Sequence, residues 1–270
     1  VFRLLKKDEA VDIFSYMSSD TQEKLVETLS DQEVAAIVSK LYIDDAADLI
    51  DELPANLVSK VLQNASPTKR KAINEILKYP EDSAGSIMTV EYVDIKSGLT
   101  VKECFDRIRR IGLNKETVYT LYVVDADRRL IGVTTVKELL MRDYDTCIND
   151  FMEDNVITVT TNEDKEEVAK MFDKYDFLAL PVVDNENRLV GIVTVDDAMD
   201  VMSEENEEDF EIMAAMTPSE DDYLKESVIT QYKNRIVWLL VLMLSSIITG
   251  KIITNYEVTF SAIPLLVSFI

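Results

Sequence analysis

LYVVDADRRLIGVTTVKE (121–138) aligns without a gap on LPVVDNENRLVGIVTVDD (180–197), with nine of the eighteen positions identical. This internal repeat constrains the fold more than any other feature, because both copies must adopt the same supersecondary unit. Each reads as strand, acidic turn, strand and helix start. Leu121–Val124 and Leu180–Val183 supply the first strands, and Asp125, Asp127, Asp184 and Glu186 the turns. Gly132 and Gly191 fall inside the second strands, where close approach of another backbone is expected. Upstream of the copies lie Met88 and Met152, a short strand, and the helices VKECFDRIRRI (101–111) and KEEVAKMFDKYD (165–176). The first copy carries about five extra residues around Gly112–Glu116.

Residues 1–80 read as short amphipathic helices with acidic or polar starts: 8–17, 20–29, 31–41, 44–54 and 66–77. Apolar positions recur at helical spacing, as in Ala46, Leu49, Ile50 and Leu53. Helices this short are unstable alone, so they are expected to pack into a small superhelix. The stretch YPEDSAGSIMT (79–89) is a domain boundary.

IVWLLVLMLSSIITG (236–250) holds no charged residue, and Ile252, Ile253 and Thr254 extend it towards the length needed to cross a bilayer. Lys233, Arg235 and Trp238 fit a cytoplasmic flank with an interfacial aromatic, and Lys251 is placed to snorkel. A second apolar run starts at Val258 and continues to Ile270, which reads as a truncated membrane domain. The pattern Tyr223, Ile229, Tyr232, Ile236 predicts an amphipathic connecting helix over 217–235 that runs into the first span.

Charge narrows the chemistry. A formal charge of −23 argues against nucleic-acid partners and favours cations. No histidine occurs, which removes the commonest general base and the usual zinc ligand. The two cysteines, Cys104 and Cys147, lack CxxC spacing, and neither a P-loop nor a G-x-S-x-G elbow is present, so no enzyme is expected. No apolar N-terminal segment suggests a signal peptide. Carboxylate oxygens remain plentiful, and these suit hard cations such as Mg²⁺ and Ca²⁺. No EF-hand loop occurs.

VDDAMDVMSEENEEDFEIM (195–213) carries nine carboxylates and no lysine or arginine. As a helix it sets Asp197, Asp200, Glu204, Glu208 and Glu211 in one stripe, which is unfavourable without counter-charge. Further acids cluster at domain edges: Asp44, Asp45 and Asp48, and Asp173 and Asp176. A solvated acidic face is the bland alternative.

The tandem β-α-β-β-α order resembles the CBS domain pair over about 86–208, and LPVVDNENRLVGIVTVDD resembles that family's signature. The whole succession is similar to the MgtE magnesium channel family: helical superhelix, YPEDSAGSIMT, two CBS domains, KYDFLALPVVD, connecting helix and first membrane helix. The resemblance implies a multidomain α+β protein. Its parts are an N-terminal all-α superhelix (1–80), CBS domains (86–146 and 150–208), a connecting helix (217–235), a first transmembrane helix (236–254) and the start of a second (258–270). It further implies a multi-pass cell-membrane protein, cytoplasmic up to about residue 235, that forms homodimers through the CBS and membrane domains. Several Mg²⁺ ions bound between the cytosolic domains would hold the pore closed.

By motif, the resemblance carries metal-site roles to Asp176, Asp197, Asp200, Glu205, Glu208 and Asp209, and to Asp44, Asp48 and Asp12 in the N-terminal domain. Ser86 and Asp173 match positions that offer backbone carbonyls, and Glu166 is a further candidate. The alternative is a sensor of adenine nucleotide, with ATP as ligand. Gly191, Ile192, Thr194 and Asp197 satisfy the ribose-contacting pattern, whereas the first copy departs from it at Glu138. Lys137, Glu138, Phe177 and Thr194 are its candidate contacts.

Overall fold

The computed structural model describes residue 2 and residues 5–214, 216–217 and 228–256. It divides into two compact units, Val1–Met202 and Ser203–Ile270.

The first unit opens with six helices: α1 (Lys7–Ser15), α2 (Ser19–Thr28), α3 (Asp31–Val38), α4 (Ile43–Glu52), α5 (Ala55–Asn64) and α6 (Pro67–Ile76). Local signals set several of their ends. Ser30 and Glu33 form a reciprocal capping box on α3, and Ser66 caps α6 with Pro67 in its first turn. Lys60 Nζ donates to the carbonyls of Val26 (2.8 Å) and Leu29 (2.6 Å), closing the C-terminal end of α2. With at most ten residues each, the helices depend on a shared core that includes Phe14, Val34, Val38, Ala46, Val61 and Ile73. Helix α5 was not among the expected helices. It starts directly after Pro54 with no acidic first turn, so the usual sign of a helix beginning is missing.

Two three-stranded sheets follow, of identical topology. One orders β1 (Asp94–Lys96), β2 (Thr120–Val124) and β3 (Leu130–Thr135); the other orders β4 (Val159–Thr160), β5 (Ala179–Val183) and β6 (Leu189–Thr194). In each the first pair is parallel and the second antiparallel, with an irregularity at Val123/Val124 and Val182/Val183. Their helices are α7 (Val101–Ile111), α8 (Val136–Leu140) and α9 (Lys165–Tyr175). The repeat is therefore a true structural duplication.

The two copies exchange their leading segments. Thr89, ahead of the first sheet, bridges to Ile192 in the second, and Glu153, ahead of the second, bridges to Val133 in the first. Gly191 and Gly132 make this possible. An added Cβ at Gly191 would lie 2.5 Å from Met88 Sδ and 2.9 Å from the Thr89 carbonyl; at Gly132 it would lie 2.7 Å from Met152 Sδ. Gly191→Ala is expected to cost about 1–3 kcal/mol by overpacking against backbone. Urea unfolding of the variant measures this, and an unchanged midpoint would contradict the exchange.

Helix α10 (Val195–Met213) carries the acidic run as one continuous helix. In the second unit, α11 (Val228–Asn255) is a single helix of 28 residues. Its stretch Ile229–Asn255, whose most apolar 18-residue window has mean hydropathy 2.2, is long and apolar enough to cross a membrane. Helix α11 joins residues 228–235 of the expected connecting helix directly to the expected span 236–254. Thr217 is not helical; its backbone N–H donates to the Asn234 carbonyl at 3.2 Å. Residues 218–227, whose Ser219 and Asp222 have capping-box-like spacing, and the apolar run 258–270 lie outside the described residues.

Candidate metal centre

Three carboxylates from three distant segments converge in the first unit. Asp44 stands in the first turn of α4, Asp197 in the first turn of α10, and Glu116 just beyond the short 3-10 turn Gly112–Asn114. One oxygen of each lies within 4.8 Å of the other two.

Backbone geometry delivers each of them. The Ile43 N–H at the start of α4 donates to Glu91 Oε2 at 2.9 Å, tying the helix to the strand-leading segment of the first CBS repeat. The Asp45 N–H donates to Asp44 Oδ1 at 2.9 Å. The Glu116 N–H donates to the Glu91 carbonyl at 3.0 Å. Thr194, at the end of β6, donates its hydroxyl to Asp197 Oδ2 at 2.5 Å.

The site is starved of positive charge. Asp44 is 5 % exposed. Burial, and then the Asp44 and Asp197 charges, push Glu116 up to about 9. Burial and the Asp44 charge hold Asp197 well above the ordinary carboxylate range, and burial raises Asp44 and Glu91. Asp45 is pushed up to about 6 by burial and the Asp44 charge. Lys69 lies near enough to feel Glu91, Asp44 and Asp45, but its ammonium donates to the Leu41 carbonyl, and burial lowers its pKa. Glu116 Oε2 is buried with no hydrogen-bond partner. At 4.8 Å, two ionised carboxylates repel by roughly 3 kcal/mol at an effective dielectric constant of about 20. Three oxygen donors around one point, one of them orphaned, fit a hard divalent cation.

The structure thus brings together Asp44 and Asp197 from the expected set and adds Glu116, which was not expected. The five-residue excess of the first repeat was its available signal, since that insertion carries the residue. Asp48 is exposed on α4, one turn beyond Asp44, and its charge raises Asp197. Asp12 is exposed on α1 and contributes to raising Tyr42. Asp200 is exposed on α10, with its pKa raised by partial burial and Asp196. Asp173 and Asp176 lie at the end of α9, where Asp176 closes the helix in a left-handed conformation (φ 56°). Ser86 sits in the loop after α6, its hydroxyl donating to the Ser83 carbonyl at 2.8 Å. Glu166 pairs with Lys170 at 2.8 Å. Glu205, Glu208 and Asp209 lie on the later part of α10, in the second unit.

Among the nucleotide candidates, Thr194 is engaged with Asp197 and Lys137 is exposed. Glu138 Oε2 accepts from the Thr134 hydroxyl at 2.8 Å, and its N–H caps onto Thr135. Phe177 packs edge-on to Phe172 with centroids 6.5 Å apart, beside Tyr175, against the core of the second repeat.

A helical domain that meets a CBS pair at three clustered carboxylates defines a CBS-domain protein with an added acidic junction. Residues 1–82 match the MgtE intracellular N domain, and residues 84–145 and 148–204 match the CBS domain. The chain belongs to the MgtE family. The magnesium transporter MgtE of Thermus thermophilus is 35 % identical over 274 residues, across all of this chain and 61 % of that relative's length. A crystal structure of the soluble part of a magnesium transporter superposes with TM-score 0.71 at 34 % identity, over 76 % of this chain and 80 % of that one. The cytosolic domain of the Mg²⁺ channel MgtE in complex with ATP gives TM-score 0.71 at 39 % identity, over 74 % and 82 %.

Proposed function

We propose that this chain is the cytosolic Mg²⁺-sensing and gating region, with the first membrane helix, of a homodimeric magnesium channel. The observation that carries the proposal is the convergence of Asp44, Glu116 and Asp197 from the N-terminal helices, the first CBS repeat and the start of α10. Bound Mg²⁺ supplies the positive charge that lets these carboxylates be ionised together. Asp44 then ties α4, and Asp197 ties α10, to one point, so the junction between the helical domain and the CBS pair closes. Asp12, Asp48, Ser86, Asp173, Asp176, Asp200, Glu205, Glu208 and Asp209 are proposed to serve further ions of the same kind.

Mg²⁺ keeps most of its waters and uses few carboxylates per ion, which suits weak, multiple binding and a steep response to free Mg²⁺. Loss of the ions restores repulsion at the junction and favours the open state. The proposed protomer is cytoplasmic through about residue 235 and enters the membrane along α11, within a multi-pass protein that dimerises through its CBS and membrane domains. Small-angle scattering of residues 1–234 is the direct test. The radius of gyration is expected to shrink as Mg²⁺ rises through the millimolar range, and an unchanged value would sink the proposal.

ATP at the CBS pair is the second reading, favoured by the ATP complex of a relative that is 39 % identical. Lys137, Glu138, Phe177 and Thr194 are its proposed contacts.

A further inference from the structure

A pocket of about 380 Å³ opens between β1, the turn that joins β2 to β3, and the insertion that carries Glu116. Three cations line it: Lys96 at the end of β1, Lys115, and Arg128 in the turn. In a chain of net charge −23 such convergence is unusual. The two carboxylates in its wall already have structural roles. Asp94 is bound by Arg107 at 2.5 Å, and Asp125 Oδ1 accepts from the backbone N–H groups of Asp127 (2.8 Å) and Arg129 (2.9 Å). Lys96, Lys115 and Arg128 themselves have no carboxylate within ion-pair distance among the described residues. Arg128 instead donates to the Tyr92 hydroxyl at 3.1 Å, and Lys115 lies 5.9 Å from the Tyr92 ring centre.

The duplicated fold provides an internal control. Strand pairing puts Thr160 where the first copy has Lys96, and the turn puts Asn187 where it has Arg128. The second copy also lacks the insertion that supplies Lys115. The basic pocket is thus specific to the first repeat and does not follow from the fold itself.

We propose that this pocket binds a small anion bearing two or three phosphates, held by Lys96, Lys115 and Arg128. Ammonium and guanidinium groups are the natural partners of phosphate oxygens. Tyr92 is 5 % exposed and its hydroxyl donates to the Leu189 carbonyl at 3.1 Å, so its ring offers no open face on which a base could stack. Recognition therefore rests on the phosphates, whether inorganic or the tail of a nucleotide. The site is separate from the acidic centre and does not depend on its function. Lys115 and Glu116, though adjacent in sequence, serve opposite sides of the same insertion.

Calorimetric titration of the full chain in detergent, with EDTA present and inorganic pyrophosphate as probe, tests this. One pyrophosphate per chain is expected, weakened at least about tenfold in Lys96→Gln/Arg128→Gln, since a hydrogen bond to a charged group is worth about a factor of ten or more. Should the double variant unfold at a lower temperature, Lys96→Gln alone, at an exposed residue, is expected to weaken binding in the same direction. Displacement of pyrophosphate by ATP would assign the pocket to a nucleotide tail. ATP binding that leaves pyrophosphate in place, and is lost in Phe177→Ala, would assign it to inorganic phosphates. No binding at millimolar pyrophosphate, or equal affinity in wild type and variants, would overturn the proposal.

Discussion

Glu116→Gln is expected to raise the unfolding temperature of the Mg²⁺-free protein at pH 8 and to shrink the further rise that Mg²⁺ produces. In wild type, Glu116 brings a buried, unpartnered carboxylate oxygen next to Asp44 and Asp197. An amide of the same shape is neutral without a proton and offers N–H donors to both acids, so folding at pH 8 no longer has to hold the proton that Glu116 keeps in the folded state and releases in the unfolded chain. The cost falls on the cation, because one oxygen donor of three is lost. A charged-group contact of this kind is worth about 1.5–3 kcal/mol, so Mg²⁺ affinity at this site should fall roughly ten- to a hundredfold. Asp197→Asn is expected to act in the same two directions. Thermal unfolding with EDTA and across a Mg²⁺ titration measures both effects at once. A variant less stable than wild type without Mg²⁺, yet equally responsive to it, would rule out charge crowding as the device.

The second large effect is on pH. With divalent cations removed, stability of the first unit is expected to fall as pH rises from about 5 to about 9. Glu116 stands at about 9 in the folded protein against an ordinary 4.5, so the folded state keeps a proton that the unfolded chain releases. A raised carboxylate of this kind contributes stability that is fully present below its ordinary value and is lost as pH climbs through the folded value. Asp45, at about 6, places part of the loss near neutrality, and Asp197 and Asp44 shift in the same direction. Cation binding requires the deprotonated acids, so Mg²⁺ affinity should climb over the same interval as stability without it declines. Unfolding temperatures at pH 5.5, 7 and 8.5, with and without Mg²⁺, give the comparison. Profiles that run parallel with and without the ion would contradict a proton-for-metal exchange at this cluster.

Much of the fold was legible because its signals are local. Two short apolar runs around an acidic turn in LPVVDNENRLVGIVTVDD specify a strand pair whatever surrounds it, and its near copy at 121–138 specifies a second. Helix α5 escaped because its start rests on Pro54 and on burial of Leu57 and Val61 in a core built by other helices. Phe177 illustrates a different limit: stacking on a base and packing beside a core demand the same side chain, and only the structure shows that its half-buried ring lies beside Phe172 and Tyr175.

By itself the sequence determined the duplicated strand units, the helical N-terminal region, the acidic α10 and an apolar stretch able to span a membrane, because period and composition are properties of neighbouring residues. Tertiary structure alone decided that Met88 and Met152 seat on each other's repeat, that Lys115 lines a pocket beside β1, and that its neighbour Glu116 joins Asp44 and Asp197. Those three acids are 72 and 81 residues apart along the chain. Their meeting is set by how whole domains pack, and the electrostatics that suit them to a cation arise only once burial has stripped away the water that would otherwise screen them.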